Sequence, residues 1–386
     1  PGKVSPRKRV QVAIPYTYSQ LKADSEYFVK VQFLLKEDKP WAPKGYVMAE
    51  EQLPVKASVG KPAINEVANA SAGELSLEKQ SDARFSTIKG DNFNVTFDNE
   101  SGTIYNLNYG GETIIADGNG PKLDAFRAFT NNDNWFYGSW FENGLHNLKH
   151  KATASKVIKR KDGSMVLFYT VESQAPNAAK ILGGTSSGKN KVEELTDKAF
   201  GEDDFKFTTD QAWTIYRDGS IELQASITSN NSSLVLPRLG YRMIVPQRYE
   251  NYTYYGRGPV ENYADRKAGQ FIEQYKSTVA DQFVNFPKPQ DMGNHEDVRW
   301  CALTDKAGKG ALFVATNRLS TSALQYSALD MTLAGHPHQL PKAGDTYLHL
   351  DLAVTGLGGN SCGQGGPLIH DRVFAGQNNI GFIIRP

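Results

Sequence analysis

Along most of the chain, apolar residues recur at every second position, the spacing that places one face of an extended strand against a core. Val10, Val12 and Ile14 show it first, and Tyr27, Val29, Val31 and Phe33 repeat it, with Pro15, Pro40, Pro43 and Pro54 between. Four or five short strands at turn-limited spacing predict an immunoglobulin-like β-sandwich over residues 1–62. Residues 63–80 are rich in Ala, Ser, Asn and Glu with little apolar pattern, and read as a linker. From residue 81 to 386 the alternation returns at Phe93–Phe97, Ile104–Tyr109, Val166–Val171, Phe205–Tyr216, Ile221–Ile227, Gly310–Ala315 and Tyr347–Val354. Only Lys191–Lys198 offers a helical reading, and Gly183–Gly188 before it reads as an exposed excursion. Some three hundred residues of strand and turn exceed one simple sandwich and predict two large antiparallel sheets packed face to face. The expected fold class is all-β.

Composition agrees with the pattern. Among 386 residues, 18 Tyr, 19 Phe and 35 Gly supply pleated faces and tight corners. Lys and Arg number 43 against 42 Asp and Glu, a net charge of +1, which argues against nucleic acid or an anionic membrane as partner. No apolar run reaches membrane-span length, and the opening Pro1-Gly2-Lys3-Val4-Ser5-Pro6-Arg7-Lys8-Arg9 has no apolar signal core behind it. Such a start reads as the middle of a longer polypeptide, with cytoplasm and bacterial periplasm both open. Cys301 and Cys362 belong to no C-x-x-C pair and predict no structural zinc; they either pair with each other or stay as thiols.

Four stretches carry candidate chemistry. The strand end Tyr254–Arg266 combines Gly256 and Gly258 with Pro259 and then Glu261, Asn262, Asp265 and Arg266, a rigid charged corner more suited to scaffold than to catalysis. Its charges are expected to tie the strand end to a neighbouring loop. Arg127, Asn132 and Asp133 beside Trp135, Phe136 and Trp140 join planar hydrogen-bonding groups to aromatic faces, as sugars require, or form an Asn-rich turn over a core. Gln290–Trp300 contains His295, Glu296 and Asp297, but neighbours on a strand face opposite ways, so a turn with an Asp–Arg pair is the favoured reading. His336 and His338 lack a carboxylate at ligand spacing, so no metal site is expected. Thr355–Gly366 is glycine-dense without the helix and Lys-Ser/Thr of a phosphate cradle.

Together these stretches resemble the C-terminal part of a long-chain β-galactosidase of glycoside hydrolase family 2. The corner Gly256-Arg257-Gly258-Pro259-x-Glu261-Asn262-Tyr263-x-Asp265-Arg266 is similar to that family's G-x-G-P-x-E-N-Y-x-D-R. Pro289-Gln290-Asp291-Met292-Gly293-Asn294 with Asp297-Val298-Arg299-Trp300 resembles its P-Q-E-N-G-N-x-x-D-V-R-W, and Arg127-Ala128 with Asn132-Asp133 resembles R-A-P-x-D-N-D with Phe129 for Pro and Asn131 for Asp. The resemblance implies a small sandwich followed by a galactose mutarotase-like supersandwich. It also implies that the retaining hydrolysis of terminal β-D-galactosides belongs to two glutamates, with a nearby magnesium, in a barrel that precedes this region. No catalytic residue or cofactor is then expected here, and the chain alone is expected to be inactive. The expected partners are the galactoside, the barrel of the same polypeptide and, in the intact enzyme, further copies of it.

Two loops of this region are implied to approach the substrate, the one holding Arg127, Asn132, Asp133 and Trp135 and the one holding Asn360, Ser361 and Cys362. Cys362 stands where the family often carries a sugar-stacking Trp, so that role passes to Trp135, Phe136 or Trp140. The alternatives are a carbohydrate-binding module and an aldose mutarotase-type epimerase, whose acid and base would come from His295 or His338 with Glu261 or Glu222.

Overall fold

A computed structural model describes residues 4–13, 22, 25–56, 71–79, 83–183, 188–359 and 365–386. The chain divides into two units, Pro1–Lys61 and Pro62–Pro386.

In the first unit, strands Tyr27–Leu34 and Val47–Lys56 pair antiparallel, with Val29 opposite Leu53, Val31 opposite Glu51 and Phe33 opposite Ala49. Side chains alternate across the pleat, so Lys30 and Gln32 meet Glu50 on the other face, at 3.6 and 2.9 Å. Val10 and Val12 are exposed and lie outside any strand, and Ile14 lies outside the described residues.

The second unit is built almost wholly from antiparallel strands. A five-stranded meander, Ser76–Lys79, Phe85–Lys89, Phe93–Asp98, Thr103–Tyr109 and Glu112–Ile115, is one layer. Its first strand comes from the stretch expected as linker, because Leu77 pairs opposite Ile88 and Leu75 is buried beside it. A twelve-stranded sheet is the other layer. Within it, strand Gly310–Leu324 serves three neighbours: it pairs with His295–Thr304, Leu312–Ala315 pair with Asn378–Arg385, and Ser320–Leu324 pair with Thr346–Val354. The sheet branches at this strand toward Arg238–Val245 and Lys122–Asp124.

The two layers bury the alternating residues read from the sequence. Phe93, Val95 and Phe97 of the meander face the sheet, and Trp213, fully buried, sits edge-on to Phe97 at 5.8 Å and to Phe382 at 6.2 Å. Its indole donates to Gln211 at 2.8 Å, so this buried ring keeps its polar handle satisfied.

Lys191–Ala199 is a strand rather than the short helix expected there. It pairs with Asn177–Leu182, and Val192 packs against the core, a tertiary contact that outweighs local propensity. Among the described residues the α-helices of a full turn or more are Tyr137–Glu142 and Ala328–Leu333.

Candidate functional site

The segment 127–136 folds around one carboxylate. Asp133 lies in a 3₁₀ turn, Asn131–Trp135, and accepts from the Thr130 amide at 2.8 Å and the Thr130 hydroxyl at 3.2 Å. The same carboxylate receives the Arg127 guanidinium through Nη2 at 2.6 Å and Nε at 3.2 Å, a bidentate pair. The rest of that guanidinium donates to the carbonyls of Thr355 and Gly356. Burial disfavours the Arg127 charge, but Asp133 beside it more than offsets this and holds its pKa above the ordinary value. Arg127 and Asp133 are 0 % and 1 % exposed, so neither offers an atom to a ligand; they brace the base of the glycine-rich loop. Asn132 is half-buried and donates to the Gly358 carbonyl at 3.4 Å.

The corner after strand Asn251–Gly258 reaches the same loop. Asp265 accepts from the amides of Leu357 at 3.1 Å and Gly358 at 2.7 Å, and Arg266 donates to the Gly358 carbonyl at 3.2 Å. Gly356 has to be glycine for this approach, since a Cβ there would stand 2.7 Å from the Asp265 carboxyl carbon. Glu261 caps the Gly293 amide at 2.7 Å, and Asn262, fully buried, exchanges backbone and side-chain bonds with Asn294 and Glu296. Gly256 packs against Val298, and Gly258 lies under Tyr254 and Tyr275, positions where any Cβ would collide.

The segment 290–300 supplies ion pairs. Asp291 accepts from Arg238 at 3.2 Å and from the Tyr263 hydroxyl at 3.0 Å, all three buried. Asp297 takes a left-handed φ of 55° at a bulge and accepts from Arg257 at 2.5 Å. His295 sits opposite Thr321 while Glu296 accepts from the neighbouring Ser320 at 2.9 Å, so the two face opposite ways, as adjacent strand residues do, and both faces are buried. Both nitrogens of His295 are occupied, at 2.7 Å from Gln282 Oε1 and 3.2 Å from the Arg257 carbonyl, and burial lowers its pKa to about 4. Its ring also stacks on Tyr254 at 4.1 Å, so neither nitrogen of His295 is free to meet a ligand in this arrangement. His338 lies exposed beside His336, the rings stacked at 5.6 Å, and Glu222 is engaged by Tyr216 at 2.7 Å. No group of three or more metal-ligating side chains occurs among the described residues.

The aromatic candidates separate cleanly. Trp140 is fully buried with its indole donating to the Val235 carbonyl at 3.0 Å, which removes it as a sugar platform. Phe136 is half-buried beneath the Arg372 guanidinium at 5.2 Å and packs on Gly366. Trp135 is 52 % exposed and keeps a face open to solvent. Asn360, Ser361 and Cys362 lie outside the described residues, and Cys301 is a buried thiol. Beside the loop opens a cleft of about 640 Å³ lined by Asp265, Arg266, Gly358, Gly359 and His370. Its walls offer carbonyls, a carboxylate and cationic donors, a set suited to hydroxyl recognition.

Sequence reading missed Arg238, whose Nε lies 3.7 Å from the buried Asp351 carboxylate, and the two carbonyls that Arg127 grips. The only signal was Arg238, with Arg242, within the otherwise apolar approach Leu234–Val245; a carbonyl's partner leaves no mark in a sequence.

A family model described as "Beta galactosidase small chain" matches residues 89–384, and one described as "Beta-galactosidase, domain 4" matches residues 1–56. A β-galactosidase of Priestia megaterium is 26% identical over 94% of this chain and 32% of its own length. One of Streptococcus thermophilus is 25% identical over 97% of this chain and 33% of its own. The chain thus spans about a third of the length of these curated relatives. Among solved structures, a putative aldose 1-epimerase from Escherichia coli aligns with 81% of this chain and 98% of its own at 11% identity and a TM-score of 0.36, a likeness too loose to add to the topology above.

Proposed function

The chain belongs to the β-galactosidase small-chain family, and from that premise we propose that it is the non-catalytic C-terminal part of a β-galactosidase. In this reading it completes the galactoside pocket and supports a catalytic barrel carried elsewhere in the whole polypeptide. The observation that carries it is the convergence on Gly358: Asn132 and Arg266 hold its carbonyl, Asp265 holds its amide, and Arg127 fixes the two residues before Leu357. Four side chains from two distant segments thereby set the root of one loop. With its carbonyls and amides held in this way, the stretch Thr355–Gly358 is pre-organised as part of a binding wall.

Within that reading, Trp135 supplies the aromatic face for the sugar, the hydrolytic glutamates and magnesium belong to the barrel, and the intact enzyme is a homo-oligomer. The chain's own residues bind and orient the sugar.

Three measurements test the reading. The purified chain is expected to leave a chromogenic β-galactoside intact, while Trp135→Ala in the whole polypeptide raises KM with little change in kcat. Cleavage by the chain alone would overturn it. So would acceleration of α-galactose mutarotation, followed by optical rotation.

A further inference from the structure

Away from the glycine-rich loop, a second cleft of about 410 Å³ opens where the meander meets the short strand Lys122–Asp124 and the edge strand Lys149–Lys159. Its lining gathers Arg84, Lys122, Lys149, His150 and Arg242 against one carboxylate, Asp98. Lys122 and Arg242 are direct cross-strand partners, a placement of like charges that a sheet ordinarily avoids.

The nearby carboxylates are already committed. Asp98 is held by Arg84 at 3.1 Å, and Glu100 also pairs with Arg84 at 3.4 Å. Asp124 lies 3.7 Å from Arg242 and 3.4 Å from His349. Lys122, half-buried, spends one donor on the Gly118 carbonyl at 2.8 Å, which leaves two for a ligand. Neither Lys122 nor exposed Lys149 forms an ion pair among the described residues. His150 meets Ser173 Oγ at 2.9 Å through Nδ1; when that hydroxyl donates, Nε2 carries hydrogen and is a neutral donor.

We propose that this cleft binds a small oxyanion of the phosphate or sulfate class, held by Lys122 and Lys149 with Arg242 and His150 completing the donor set. Crowded cations with spent carboxylates cost free energy that a dianion relieves, and tetrahedral oxygens match donors arriving from three strands. The titration of the lining agrees. Burial first, and then Arg242 and Lys149, lowers the Lys122 pKa, with Asp98 offsetting part; burial, Lys122, Arg242 and Lys149 lower His150 to about 3. The site is independent of the galactoside reading.

The test is isothermal titration of inorganic phosphate, and separately sulfate and glucose 6-phosphate, into the purified chain at constant ionic strength, with chloride as control. Saturable binding in the millimolar range or tighter is expected, weakened about tenfold or more by Lys122→Gln and by Lys149→Gln. Lys149 is exposed, so its variant keeps the fold and reports on the site alone; circular dichroism checks both. Tighter binding of the sugar phosphate than of phosphate assigns a phosphate ester, and the reverse assigns the free anion; either supports the site. An affinity weaker than about 10 mM for all three, or equal heats from wild type and Lys149→Gln, would overturn it.

Discussion

Asp265 holds Gly358 by its backbone amide at 2.7 Å, while its neighbour Arg266 holds the carbonyl of the same residue at 3.2 Å. Consecutive side chains of opposite charge thus clamp both sides of one glycine, ninety-odd residues away in sequence. The corner identified from its motif is therefore part of the loop's mounting, and its two charges are unequal in consequence.

Asp265→Ala leaves the amides of Leu357 and Gly358 without their acceptor, whereas exposed Arg266 gives up one bond to a carbonyl that Asn132 also serves. Asp265→Ala is expected to cost about 1–3 kcal/mol and Arg266→Ala under about 1 kcal/mol. Urea unfolding midpoints of the two variants rank them. Equal losses would mean that the charge pair, and not the amide capture, holds the corner.

The Arg127–Asp133 pair is buried on both sides. Asp133→Ala strands a guanidinium in the core and is expected to destabilise by about 3–5 kcal/mol. Replacing both partners by apolar residues of similar volume recovers part of that loss, and a double-mutant cycle on denaturation midpoints measures how much.

Trp135 and Trp140 are expected to separate stability from binding. Trp135→Ala removes an exposed ring and shifts stability by under about 0.5 kcal/mol, while Trp140→Ala opens the core at a cost of about 3–5 kcal/mol. Calorimetric galactose titration of the folded Trp135 variant is expected to show lost binding. Unchanged binding would move the sugar face away from this loop.

Stability is expected to respond to pH through opposed groups. Burial, with Asp124, Asp291 and Glu296 adding repulsion and Arg238 offsetting part, raises the Asp351 pKa from 3.8 to about 8. The folded chain keeps a proton there that the unfolded chain has released, so this contribution falls as pH climbs from about 4 to about 8 and is flat above. His295 works the other way. Its pKa is lowered to about 4, so the unfolded chain takes up protons the folded one refuses, and stability is lost as pH drops below about 6.5. Asp351→Asn is expected to flatten the fall on the alkaline side alone, as denaturation midpoints from about pH 5 to about pH 9 would record. A parallel curve for variant and wild type would show that Asp351 is already ionised.

Gly356→Ala drives a methyl into the Asp265 carboxylate. It is expected to reproduce the Asp265→Ala loss without removing a charge. Hydrogen exchange at Leu357 and Gly358 reads it directly, and protection equal to wild type would contradict the proposed packing.

The all-β class, most strand positions and the motifs that mark the family were legible in the amino-acid order alone. Period-two burial and the backbone demands of Gly and Pro are local properties, written where they act. Arg127, Asp133 and Asp265 also stood out there as residues that matter. How they matter is a property of the folded chain. Arg127 and Asp133 turn inward because the carbonyls of Thr355 and Gly356 complete their bonding, and those carbonyls come from more than two hundred residues further on. Trp135 and Trp140 look equivalent in the sequence, yet a partner carbonyl from Val235 buries one and solvent keeps the other. Lys191–Ala199 became a strand through pairing with Asn177–Leu182. The cation cleft at Lys122 and Arg242 was silent for the same reason, since register between distant strands sets charge against charge and no local pattern encodes it.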